Sequence, residues 1–331
     1  MTIVAAEVKK YRSAEVSDAI TNGGLMSNNE MISNVSENVF PDVPQSERVA
    51  GSTKFRKSFV KVENDNDETL FNTRLFLNRT SPGDDIVTIF AGTQSDTQND
   101  ITGSEDHYGA GQLNADVLAG VTSIDVLVED DSIDRIFRVG DVIRITDKET
   151  IASGGNEEFR LIDSVSYVVD LATIGFLDPL ANGYTAANTY VGSGLDVGNI
   201  VGTFDTFVVT SGGGAFDEIG QPIVVDSIGG VQDAWTLTFT SSTAYDAVGA
   251  VTGAVGSGTV ASDFSPNNPA FAKPYFTVPS AGFSGTFAAS DTITFNTSPA
   301  AAPVWWKRTV PASATAIAGN FVDLVINGEN V

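Results

Sequence analysis

The chain has a single histidine, His107, flanked by Glu105 and Asp106, and this is the first place to look for proton-transfer chemistry. An imidazole beside two carboxylates can act as a general base. One histidine cannot build a His-based metal triad. Ser104-Glu105-Asp106-His107 reads as a polar loop, so a solvated histidine is expected. Paired acids stand at Asp84/Asp85, Asp130/Asp131 and Glu157/Glu158. Glycosidases set two carboxylates across a sugar, but neighbours on a strand point to opposite faces, and 42 acids make such pairs unremarkable. Calcium is the one cofactor worth weighing. Asp65-Asn66-Asp67-Glu68 and Asp96, Gln98, Asp100 are oxygen-rich, yet neither has the glycine and glutamate spacing of an EF-hand, so both read as turns. Gly212-Gly213-Gly214 is not followed by Lys-Ser/Thr and is no phosphate loop. No catalytic residue, cofactor or metal is therefore assigned. Trp305-Trp306-Lys307-Arg308 invites a structural reading. Consecutive strand residues face opposite ways, so one tryptophan is expected in the core and the other on the surface, where tryptophan anchors interfaces. With Arg56 and Lys57, these four are the candidate subunit contacts.

The elements that must carry these residues are short strands. Gly, Ser, Thr, Val, Asp and Phe dominate the composition, as in strands joined by turns. The expected fold is mainly β, with two to three β-sandwich or small-barrel domains and a short helical N-terminal segment. Residues 13–20, stopped by Gly23 and Gly24, and residues 27–35, with Ser27 and Glu30 as a capping box, read as two short helices. Lys54–Val62 and Phe71–Leu77 around Asn64-Asp65-Asn66-Asp67 read as a hairpin. Trp235, Leu237 and Phe239 alternate with Thr236 and Thr238. Phe137–Ile145 is echoed by Phe287–Phe295, each with a phenylalanine, a tight turn at Gly140-Asp141 or Ser290-Asp291, and a strand. The expected organisation is a helical arm over 1–50, a sandwich over 51–102 completed by 304–331, and β domains over 103–202 and 203–303.

Whole-chain numbers narrow the function. At 331 residues the chain buries a large core without staples. It has no cysteine, which suits a reducing compartment. The start shows no secretory apolar run, and no stretch approaches the roughly 18 to 20 apolar residues of a membrane helix. Net charge is −24, against a nucleic-acid partner, whose affinity comes from lysine and arginine displacing counterions. Ten of the 18 basic residues fall in residues 1–79. The charge is read as a solvated acidic surface, with docking of the basic N-terminal part on an acidic partner as the sharper alternative.

The most specific stretch runs from Asn22 to Gln98. It contains Asn22-Gly23-Gly24-Leu25-Met26-Ser27, Phe40-Pro41-Asp42-Val43, Arg48–Lys57, Pro82-Gly83-Asp84-Asp85 and Phe90–Gln98. With Phe137–Ile145, Leu180–Tyr184, Lys273–Phe276 and Lys307–Pro311, it resembles a family of structural proteins from tailed bacteriophages and prophages. The resemblance implies a non-enzymatic virion component, assembled in the bacterial cytoplasm, whose partners are other virion proteins and copies of itself. A tail, baseplate or neck position is the leading expectation. Capsid decoration and a β-domain adhesin are the alternatives. A receptor contact is not specified by any of these motifs.

Overall fold

The computed structural model describes residues 2–128 and 135–330. The fold is mainly β, with 46% strand and 5% helix. The chain first lays down Val8–Glu15 (β1), Gly23–Glu30 (β2), Ser52–Val62 (β3), Leu70–Leu77 (β4) and Ile86–Ala91 (β5). Seven strands follow: Ala110–Leu113 (β6), Ser123–Leu127 (β7), Val142–Thr146 (β8), Glu157–Leu161 (β9), Ser164–Val168 (β10), Leu171–Gly175 (β11) and Tyr190–Ser193 (β12). After Leu195–Ile200 (β13) come Thr203–Thr210 (β14), Gly214–Phe216 (β15), Asp233–Phe239 (β16), Ala244–Gly249 (β17), Gly253–Thr259 (β18), Asn267–Asn268 (β19), Lys273–Pro274 (β20), Phe283–Gly285 (β21) and Thr292–Ser298 (β22). Ala301–Val310 (β23) and Leu324–Glu329 (β24) end the series.

A five-stranded sheet, β2-β1-β3-β23-β5, faces a three-stranded sheet, β13-β4-β24. Between them Val60, Val62, Leu75, Leu77, Ile89, Leu195, Val304 and Trp306 form the sandwich core. Three distant stretches of chain thus build one sandwich. β3 is its spine, pairing with β1 on one side and with β23 over ten residues on the other, from Ala301 opposite Lys61 to Val310 opposite Ser52.

The sheet β10-β11-β7-β6-β12-β8-β9 has β9 and β10 at its two ends. Only Ile162 and Asp163 separate those strands in the chain, so the sheet curls until its ends adjoin. Ile124, Val126, Ile143, Ile145, Ile174 and Val191 fill the interior. The third sheet, β14-β22-β16-β17-β18, packs over an aromatic cluster of Phe216, Trp235, Phe239, Tyr245, Phe276, Phe287 and Phe295.

The sequence echo corresponds to one local structure used twice. Gly140 and Ser290 both have positive φ, 93° and 76°. Gly140 N–H donates to Ile162 O, and Ile162 N–H to Asp141 O. Ser290 N–H donates to Phe239 O, and Phe239 N–H to Asp291 O, in the same pattern.

Two local expectations fail. The N-terminal helical arm is a hairpin, β1 with β2, laid against β3; helix there is confined to the 3-10 turn Ala5–Glu7 and to Gln45–Ala50 (α1). Short helices are marginal alone, and the unpaired edge of β3 offers a ladder instead. Ser27 Oγ–H donates to Arg12 O across the hairpin rather than capping a helix. Likewise β3 and β4 do not form a hairpin. They lie in opposite sheets, because both strands bury apolar side chains in the same core and the 64–69 turn carries the chain across the sandwich.

Candidate functional site

The residues singled out for subunit contact converge on the β3–β23 ladder, but they point inward. Trp305 and Trp306 are 0% and 4% exposed, and Arg56, Lys57 and Arg308 are also buried. Only Lys307 is partly exposed. The expectation of one surface tryptophan is thereby corrected. Alternation does put the two rings on opposite faces, but both faces are covered. Trp306 enters the sandwich core and donates its Nε1–H to Ser58 Oγ (2.8 Å).

On the outer face Trp305 sits in a polar node. Its Nε1–H donates to Asp96 Oδ2 (2.7 Å). Lys57 Nζ lies 2.6 Å from Asp96 Oδ1 and donates to Gly24 O (2.7 Å) and Asp96 O (3.0 Å). Gly24 N–H donates to Asp96 O (2.8 Å). Asn22 Nδ2 donates to Phe55 O (2.9 Å) and Gln98 Oε1 (3.2 Å). Burial pulls the Lys57 ammonium below its ordinary pKa, against the opposing pull of Asp96. With all three N–H groups engaged, Lys57 ties β3 to Gly24 and Asp96. Gly23 has φ +110°, and a Cβ there would stand 2.8 Å from the Trp305 ring. The glycine expected to cap a helix is instead required by a tryptophan nearly three hundred residues away.

On the inner face Phe40 lies between two guanidinium groups, 5.9 Å from Arg56 and 4.7 Å from Arg308, within reach of a cation–π attraction. Arg56 donates to Ser17 O (2.8 Å) and Asp18 Oδ1 (2.6 Å). That hydrogen bond from Arg56 is the main reason the Asp18 carboxyl is held below its usual range. Arg308 donates to Pro41 O (2.8 Å), while its Nε and Nη2 find no partner among the described residues. A cavity of about 10 Å³ between Met31, Val39, Arg56 and Trp306 has room for about one water molecule.

His107 is buried, not solvated. Its Nδ1 is 2.9 Å from Thr88 Oγ1, its ring meets Phe90 at 5.0 Å, and its carbonyl accepts from Arg138. Phe90 in turn stacks on Trp305 at 6.2 Å. The polar motif before His107 is a loop, but the loop closes the seam between sandwich and curled sheet.

The acid pairs are separated in their roles. Asp84 accepts from Thr315, and Asp85 from Ser81 and Asn320. Glu157 is bonded to Arg144 and Lys148. Glu158 accepts from Ala181 N–H, Asn182 N–H, Asn182 Nδ2 and Tyr184 O–H, at 2.8 to 3.1 Å. Burial pushes the Glu158 carboxyl up, but these donors outweigh it and hold it below its usual range. Asp130 and Asp131 lie outside the described residues. Asp65 is paired with Lys273, Asp67 with Ser227 N–H, and Asp100 with Thr97. Among the described residues no three metal-ligating side chains form a group, and no helix is long and apolar enough to cross a membrane.

Sequence reasoning missed Lys61. It lies between Val60 and Val62 on β3 and so faces away from the sandwich core those two residues enter, yet it is fully buried. Its ammonium donates to Ile228 O, sits 3.1 Å from Glu63 and lies 3.9 Å from the centre of the Phe271 ring. The only cue was a strand with basic residues interleaved among large aromatics.

No protein-family model, curated protein or solved structure matches this chain.

Proposed function

We propose that the chain is a non-enzymatic structural protein of a tailed-bacteriophage virion, a tail, baseplate or neck component that assembles with copies of itself into a symmetric ring. The observation supporting this is the fate of the resembling motifs. Asn22-Gly23-Gly24, Phe40-Pro41, Arg56-Lys57 and Asp96 interlock with one another and with β23. In this chain these motifs serve the scaffold of the sandwich. The charge distribution fits an exterior virion protein. Four of the 18 basic side chains, Arg56, Lys57, Lys61 and Arg308, are buried in the sandwich, so the surface is more acidic than the sequence suggests and repels nucleic acid. Of the ten basic residues in 1–79, Arg56, Lys57 and Lys61 are buried, which leaves fewer for the reading in which a basic N-terminal part docks on an acidic partner.

Quantitative mass spectrometry of purified virions, with the major capsid protein as reference, tests the proposal. Closed rings have fixed copy numbers, so roughly six to a dozen copies, or a small multiple, are expected. Hundreds of copies would replace the ring with a capsid decoration or repeating tail layer. Absence from the particle would overturn the virion reading.

A further inference from the structure

Residues 203–298 hang from the sandwich by two adjacent crossings. The chain enters through Val201-Gly202 and leaves through Pro299-Ala300, and Thr203 pairs with Ser298. Ala300 O accepts from Val62 N–H, so the sandwich reaches as far as Ala300. Gly202 already packs on Val225, inside the third unit. The buried residues of the aromatic core all fall within 216–295.

Contact with the sandwich comes from two short loops that meet the end of β3. Asn64 N–H donates to Ser227 Oγ (3.1 Å), and Ser227 O–H donates back to Asn64 O (2.6 Å). Ser227 N–H donates to Asp67 Oδ1 (2.7 Å), and Lys273 Nζ to Asp65 Oδ1 (2.7 Å). Lys61 reaches Ile228 O under the Phe271 ring, which meets Tyr11 edge-on at 5.9 Å. The apolar part is a satellite of Tyr11, Phe59 and Ala301 with Met26 and Phe271, separate from both large cores.

We infer that this contact is a latch, which opens at the 201–202 and 299–300 crossings while the sandwich and the 203–298 unit each stay folded. Its hydrogen bonds are replaced by bonds to water on opening, so each contributes little net stability. The Lys61 ammonium, desolvated when the latch is closed, regains its hydration when it opens. Burial already lowers its pKa, in keeping with that tension. Each unit retains its own core, so nothing else need melt. Opening uncovers Tyr11, Phe59 and Lys61 together, an apolar patch in which Lys61 keeps its ion pair with Glu63.

Residue-resolved hydrogen exchange on the whole chain tests this. The Asn64 and Ser227 amides are bonded across the latch, whereas those of Val60 and Leu237 belong to β3 and β16. Asn64 and Ser227 are expected to exchange at least about ten-fold faster than Val60 and Leu237. Phe271→Ala is expected to speed the first pair by about another ten-fold and leave the second pair unchanged; Lys273→Ala, at a more exposed position, should act in the same direction. Equal exchange at all four amides in the native chain would overturn the latch, since the contact would then open only with global unfolding. An equal acceleration of all four by Phe271→Ala would overturn it as well.

Discussion

The sandwich and the 203–298 unit solve the same problem by opposite means. The unit buries rings: Phe239 stacks on Phe287 at 3.9 Å, and Trp235 meets Phe276 at 4.8 Å. Its buried charge is confined to Asp233, among the described residues, which accepts from the N–H groups of Ala234, Val251 and Thr252. The sandwich keeps an aliphatic core but clothes both faces of its five-stranded sheet with buried cations. Burial of apolar surface is strong and non-directional, and ring pairs add their own preferred geometries. Buried charge contributes little net stability, yet is costly to leave unpaired. The contrast suggests that the unit holds itself up, while the sandwich fixes the geometry of distant segments.

The largest break in this contrast is Trp235→Ala. Loss of a fully buried ring that donates to Thr297 Oγ1 should cost about 3–5 kcal/mol, seen as unfolding of 203–298 with the sandwich intact. Asp96→Ala leaves the Lys57 ammonium buried without its carboxylate and should cost the sandwich about 3 kcal/mol. Adding Lys57→Met should recover most of that loss, a non-additivity that a double-mutant cycle measures directly. Gly23→Ala meets Trp305 in a disfavoured backbone conformation and should cost about 2 kcal/mol in chemical denaturation.

Acid should act more gently, on the curled sheet. Glu158 is held below its unfolded pKa, so its contribution is present above the ordinary carboxylate range and is lost as pH falls through the lower, folded value. Glu158→Gln should flatten the acid limb of the curled sheet's stability profile. The smallest effect is Ser290→Gly, which relieves a positive φ and should stabilise the third unit by at most about 1 kcal/mol in thermal melts. Gly140→Ser should do the reverse in the curled sheet.

What was legible in the sequence was local. Trp235, Leu237 and Phe239 alternate, and their strand is β16. The Phe137 and Phe287 echoes share one turn because a positive-φ residue followed by aspartate is a local constraint. The β3–β4 crossover was not legible, since a turn of Asn and Asp serves a hairpin and an arch equally well. Nor was the node around Trp305. Its partner Asp96 is 209 residues distant in the chain, and no periodicity links them. Lys57 and Lys61 look like surface residues until the loops that cover them are in place. The helical reading of residues 13–35 failed for a related reason: weak local propensity gave way to a waiting strand edge.

The most direct test of the scaffold role is hydrogen exchange across a urea series, comparing Asp96→Ala with the native chain. The expected result is a lower unfolding midpoint for amides in β3 and β23 and an unchanged one for β16 and β22. A common drop in all four strands, or no drop in any, would contradict the view that the Asp96–Lys57–Trp305 node holds the sandwich alone.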